Sequence, residues 1–220
     1  MIIKIDDYCK KIRGVNILNN ISFIFESGKC YGLKGKNGSG KTMLMRAVCG
    51  LIKATSGTIS IDGEILGKDI SFPRSIGALI ENPSFIGQYT GFHNLKILAD
   101  IQGKIDDNKI RQTLEEIGLE PNDKKTVKKY SLGMKQKLGI AAAFMEEPDI
   151  IILDEPINAL DEKSVERVKK MISNAKNRGA VLIVACHDTE ELNILADEII
   201  YIEEGRITNY EKNVEENYSR

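Results

Sequence analysis

Residues 35–42 are Gly35, Lys36, Asn37, Gly38, Ser39, Gly40, Lys41 and Thr42, and they fit the pattern GxxxxGK[ST]. Glycines let the backbone fold tightly around a phosphate, so that several N–H groups point inward. The helix expected to follow adds the positive end of its dipole. Lys41 is placed to reach the β- and γ-phosphates of a nucleotide, and the Thr42 hydroxyl to ligate Mg²⁺. A strand pattern precedes the loop and a helix pattern follows it, which is the context this chemistry requires.

A second charged group lies far downstream. The apolar run Ile150, Ile151, Ile152, Leu153 leads directly into Asp154, Glu155 and Pro156. An aspartate at the carboxyl end of a buried strand can hold Mg²⁺ through water beside a phosphate loop in the same parallel sheet. Glu155 projects differently and is suited to polarise an attacking water. Between these motifs lies Tyr130, Ser131, Leu132, Gly133, Met134, Lys135, Gln136. Ser131 is a favourable helix N-cap, and Leu138, Ala141, Ala142 and Met145 continue an apolar face, so a second helix N-terminus is available to an anion. The loop and the acidic strand end together read as a P-loop nucleotide hydrolase.

The elements that must position these groups alternate in type. Residues 21–25 and 30–33 have strand patterns with a turn at 27–29, and 43–51 has helical spacing. Residues 58–63 alternate at period two and end on Asp62-Gly63, as half of a β-hairpin would. Residues 92–102, 107–118 and 132–145 carry helical periodicity. Beyond them come buried strands at 150–153 and 180–185, helices at 163–177 and 189–196, and a strand at 198–202 that closes the chain. This is an α/β core interrupted by a helical insert. The charge run 123–129 reads as a solvated surface and the polar tail 211–220 as a frayed end.

Composition excludes several function classes. The 220 residues suffice for one large domain or two small lobes, and 42% apolar and 29% charged residues are ordinary globular values. With 31 basic against 32 acidic side chains and no tryptophan, neither a nucleic-acid coat nor a base-stacking platform is expected. Cys9, Cys30, Cys49 and Cys186 form no CxxC pair, so a zinc ribbon or redox dithiol is not expected either. The start of the chain does not read as a signal peptide, and no stretch is apolar enough to span a membrane, so the expectation is a soluble cytoplasmic domain.

Taken together, the motifs resemble the ATP-binding subunit of ABC transporters over essentially the whole chain. GKNGSGKT is similar to that family's Walker A, IIILDEP to its Walker B and SLGMKQ to a variant signature. Asn158-Ala159-Leu160-Asp161 resembles the D-loop, and His187 the switch histidine. The resemblance implies a P-loop NTPase (RecA-like) core with a mainly parallel sheet, an N-terminal antiparallel β subdomain and a helical insert. It also implies one ATPase domain over 1–220, its nucleotide-binding core at about 1–82 and 146–220 and its helical part at about 83–145. Two such subunits, a homodimer or a related heterodimer, would sandwich ATP and Mg²⁺. Ser131 and Gly133 of one would face the γ-phosphate held by the other, and Asp161 would help shape the opposite site. Glu155 and His187 would then be the catalytic pair.

Three positions depart from the family pattern. Glu81 stands where a glutamine is usual and is expected to approach Mg²⁺, with residues 82–85 beginning a joint toward the membrane partner. Leu132 replaces the first signature glycine. The adenine contact falls to Ile12 or to Tyr8, with Ile12 favoured, and His93 is read as structural. The combination LIENPSF and YSLGMKQ resembles the bacitracin-resistance and lantibiotic-immunity branch of bacterial exporters. That implies integral membrane transporter subunits as partners, a position on the inner face of the cell membrane, and an antimicrobial peptide or related amphiphile as cargo. The rival readings are a soluble ABC ATPase of translation, DNA maintenance or cluster assembly, and a regulator that binds nucleotide without hydrolysing it.

Overall fold

The computed structural model describes residues 1–81, 83–186 and 188–212. Among the described residues, two sheets and six α-helices make up the fold. Strands β1 (Ile2–Ile12), β2 (Val15–Glu26), β4 (Ser56–Ile61) and β5 (Glu64–Ile65) form an antiparallel sheet in the order β2-β1-β4-β5. Arg13-Gly14 and Asp62-Gly63 join their hairpins with positive φ at both residues, the two-residue turn that matches strand twist. Strand β1, for which no bounds were read from the sequence, runs 11 residues, with bulges near Asp7 on β1 and Asn20 on β2, while Ile3, Ile5 and Tyr8 stay buried.

The second sheet has the order β10-β9-β3-β8-β7-β6, built from β3 (Cys30–Lys34), β6 (Ile76–Leu79), β7 (Ile150–Asp154), β8 (Val181–Ala185), β9 (Glu198–Glu203) and β10 (Arg206–Lys212). Its five neighbours from β9 to β6 run parallel, and β10 adds an antiparallel edge. Strand β10 corrects the expectation that residues 198–202 close the chain. The Glu204-Gly205 turn, again with positive φ at both residues, was the readable signal for it. Residues 211 and 212 of the expected frayed tail belong to this strand, and 213–220 lie outside the described residues.

The parallel sheet is covered on both faces, which is why its strands read as continuous apolar runs. Ile151, Leu153, Leu182 and Val184 face one apolar cluster with α2 (Gly91–Gln102), α3 (Asp107–Ile117), α4 (Leu132–Phe144), α5 (Glu162–Asn177) and α6 (Thr189–Leu195). Their neighbours Ile150, Ile152, Val181 and Ile183 face the other, with α1 (Lys41–Val48) and the antiparallel sheet. The alternation follows from the two-residue period of a strand. A Cβ on Gly77 would come 1.8 Å from the Ala143 carbonyl oxygen, so a glycine is what lets α4 lie directly on β6. Helix α1 starts at Lys41, two residues earlier than expected, directly behind the glycine-rich loop. Cys30, Cys49 and Cys186 are buried as free thiols.

The charge run folds into a short 3₁₀ turn, Val127–Lys129, whose valine is buried while Lys124, Lys125, Lys128 and Lys129 are exposed. No helix among the described residues is long and apolar enough to cross a membrane.

Candidate functional site

The glycine-rich loop sits between the end of β3 and the start of α1, at the carboxyl edge of the parallel sheet where such folds bind ligands. Gly40, at φ 113°, makes the left-handed step that starts the helix, a conformation costly for residues with a Cβ. The Ser39 amide donates to the Lys36 carbonyl, and the Ser39 carbonyl accepts from Gly205 N at 2.8 Å, which anchors the loop on the β9–β10 turn. Lys41 is 6% exposed, and its Nζ donates to the carbonyl oxygens of Gly35 and Lys36 at 2.6 and 3.2 Å. The Ser39 hydroxyl is buried and has no hydrogen-bond partner among the described residues.

Strand β7 delivers Asp154 to the same place. Thr42 Oγ1 donates to Asp154 Oδ2 at 2.9 Å, joining residues 112 positions apart. Glu155 follows in a left-handed conformation (φ 52°), which turns the chain off the strand direction. Its amide donates to the Ala185 carbonyl, and its own carbonyl accepts from Gln136 Nε2 at 2.7 Å. The signature helix α4 is thereby tied to the acidic strand end within one chain. Ala185 pairs with Asp154, and His187, two residues beyond it, lies outside the described residues.

A cavity of about 420 Å³ is lined by Ile12, Asn37, Gly38, Ser39, Gly40, Lys41, Thr42, Asp154 and Glu155. Ile12, 41% exposed at the tip of the first hairpin, forms the apolar wall of this cleft together with Ile17 and Met43. Tyr8 is not there: it is 3% exposed, its hydroxyl donates to the Ile52 carbonyl, and burial pushes its phenol up to about 12. A smaller adjoining cavity of about 150 Å³ is lined by Glu81, Leu132, Gln136, Asp154, Glu155, Asn158 and Ala159. Glu81 Oε1 lies 2.7 Å from Arg46 Nη2, so its carboxylate is paired with α1 and not with the Thr42–Asp154 couple.

The remaining site candidates cap helices. Ser131 Oγ accepts from Met134 N at the start of α4, and Asp161 Oδ1 accepts from Ser164 N at the start of α5. The hydrogen bonds from Ser164 hold the Asp161 carboxyl below the usual carboxylate range. Gly133 lies against the D-loop segment, since a Cβ on it would come 2.7 Å from the Ala159 carbonyl oxygen. Ser131 and Gly133 line neither cavity of their own chain. His93 Nδ1 lies 2.9 Å from Thr90 Oγ1 at the cap of α2, a local structural contact. Arg46, beside the site through its pair with Glu81, is a residue that the motif reading passed over, whereas Gln136, named there only within its motif, gains a specific partner in the Glu155 carbonyl. Arg46 sits four residues after Thr42, one helical turn on, and that spacing was the available signal.

Known proteins with the same features are numerous. The family model described as ABC transporter matches residues 18–158. An ABC transporter ATP-binding protein of Bacillus subtilis (strain 168), YybJ, is 48% identical over 96% of this chain and 96% of its own. The bacitracin transport ATP-binding protein BcrA of Enterococcus faecalis is 35% identical over 100% of this chain and 71% of its own. The lantibiotic transport ATP-binding protein SrtF of Streptococcus pyogenes is 36% identical over 93% of this chain and 88% of its own. A solved ATP-binding subunit of an ABC transporter superposes with a TM-score of 0.87 at 25% identity, over 96% of this chain and 90% of that one.

Proposed function

The chain belongs to the ABC transporter family as an ATP-binding subunit and ATPase, and from that premise we propose that it powers export through separate integral membrane subunits. It works from the inner face of the cell membrane, as one half of a dimer with a second copy or a related ATPase. The proposed cargo is an antimicrobial peptide or related amphiphile. Relatives named for bacitracin and lantibiotic transport, at 35% and 36% identity, support that class. In this division of labour, residues 83–145 are the helical part that meets the membrane partner.

The observation that carries the reading is the 2.9 Å contact of Thr42 with Asp154 on the floor of a cleft walled by Ile12. Magnesium keeps several waters and takes few protein ligands, one or two of them carboxylates, beside substrate phosphates. A single hydroxyl and a single carboxylate fit that partial set. Among the described residues no group of three or more His, Cys, Asp or Glu side chains is arranged to hold a metal alone. When bound, the ion supplies charge neutralisation to the β- and γ-phosphates.

The side chains then have distinct tasks. Lys41 exchanges the carbonyls of Gly35 and Lys36 for phosphate oxygens, and the loop amides from Asn37 to Thr42 complete the cradle. The orphaned Ser39 hydroxyl gains a phosphate acceptor, which removes the cost of an unpaired buried polar group. Ile12 packs on adenine. Glu155 orients the attacking water and accepts its proton, and His187 contacts the γ-phosphate. Ser131 and Gly133 of the second subunit approach that phosphate from the far side, and Asp161 shapes the opposite site. Phosphoryl transfer needs this positioning and charge stabilisation more than covalent chemistry.

Turnover by the purified protein tests the site. Lys41→Ala should lose nucleotide binding and hydrolysis together. Glu155→Gln should bind ATP as the unaltered chain does while hydrolysis falls roughly 10²–10⁴-fold, the scale of a general base. Normal turnover in the Glu155 variant removes that residue from its role. For the transporter assignment, the tagged chain is purified from detergent-solubilised membranes of its host. A stoichiometric multi-spanning partner supports export, whereas recovery with ribosomes or nucleic acid overturns it.

A further inference from the structure

Three carboxylates, Glu81, Asp154 and Glu155, line the 150 Å³ cavity beside the phosphate loop. Like charges brought together in a partly enclosed space repel, so such a cavity calls for a cation. Arg46, which is not among the lining residues, supplies one to Glu81 alone, with Nη2 2.7 Å from Glu81 Oε1. Its position on α1 is telling. Arg46 and Thr42 are four residues apart and share a helix face, about one turn or roughly 6 Å along the axis. The guanidinium therefore holds the Glu81 carboxylate on the helix that also carries Thr42.

Two further observations bear on how firmly it does so. The pair is open to solvent, with 35% and 60% of the two side chains exposed, and exposed pairs are weak enough to exchange. Glu81 also has φ 59°, in the left-handed region that residues with a Cβ avoid, at the step between β6 and the segment leading to α2. The backbone step sets the direction in which the side chain leaves the strand end, and the ion pair to α1 completes its placement.

We propose that Arg46 is a positioning residue, a resident counter-ion that holds Glu81 against α1 until a nucleotide-bound divalent cation competes for it. The inference rests on residues 35–42 and Asp154 forming the nucleotide site. It deepens that reading by naming what sets the magnesium requirement: each binding event must displace the Arg46–Glu81 pair.

The test is a magnesium titration of nucleotide binding, read by a fluorescent ATP analogue on the whole chain and scored as the Mg²⁺ concentration giving half-maximal signal. Arg46→Gln is expected to lower that concentration about two- to fivefold, the size an exposed ion pair allows. Arg46→Lys, which keeps the charge, should stay near the unaltered chain. In a Glu81→Gln background the Arg46→Gln effect should vanish, because the two changes act through one contact. Equal titrations for the unaltered chain and Arg46→Gln overturn the proposal. So does an effect that persists without Glu81, which would mean that Arg46 acts only through its general field. Absence of analogue binding at every magnesium concentration overturns the nucleotide site itself, and the proposal with it.

Discussion

Asp161, proposed for the opposite site of the dimer, already serves the fold. It caps α5 through Ser164, and those hydrogen bonds lower its affinity for a proton, with Lys137 and Lys163 adding smaller attractions. A carboxyl whose folded value is depressed contributes stability above its ordinary value of 3.8 and loses it as the pH falls through the folded value. Asp161→Asn keeps a capping side chain but cannot titrate. Thermal melts should therefore show the unaltered chain ahead by a constant margin near neutral pH, with the gap closing below pH 3.8. A margin that survives into strong acid would mean that the cap alone, and not the charge, is at work. At this scale the phosphate-loop residues were legible in sequence, because cradling a phosphate needs consecutive backbone amides. The Arg46–Glu81 pair was not, since its partners are 35 positions apart and come together only in three dimensions.

Among the elements, α4 links the most parts of the site. Ser131 caps it, Gln136 reaches the Glu155 and Pro156 carbonyls, and its far end rests on β6 through Gly77. A methyl group on Gly77 must push the Ala143 backbone away, since 1.8 Å is far inside van der Waals contact. Gly77→Ala is expected to cost about 1–3 kcal/mol in urea unfolding, the range for overpacking. Turnover of the folded fraction should fall as well, because the same shift moves the signature end of α4 relative to Glu155. Unchanged stability would show that β6 and α4 can part without strain. The helices matched their sequence reading closely, Gly91–Gln102 against 92–102 and Glu162–Asn177 against 163–177, because amphipathic periodicity and caps are local signals. Strands β6 and β10 were not singled out. Strand β6 has four residues and β10 is mostly exposed, so neither carries a long apolar pattern.

For the molecule as a whole, the proposed ATP-sandwich dimer would give Ser131 and Gly133, which line neither cavity of their own chain, the second chain's nucleotide to face. In a Glu155→Gln background, Mg²⁺ and ATP should double the mass seen by light scattering. Adding Ser131→Arg should prevent the doubling while leaving nucleotide binding by the single subunit intact. Persistent dimers in the double variant would remove α4 from the interface. The sequence by itself determined the chemistry and the fold class, because a phosphate loop, an acidic strand end and doubly buried strands each write themselves in consecutive residues. Only the tertiary structure decided which side chains share a cleft. It set Ile12 on the cavity and Tyr8 in the core, anchored the loop on Gly205 and gave Glu81 to Arg46. Those outcomes depend on how two sheets and six helices pack, and packing joins residues whose separation in sequence carries no periodic signal.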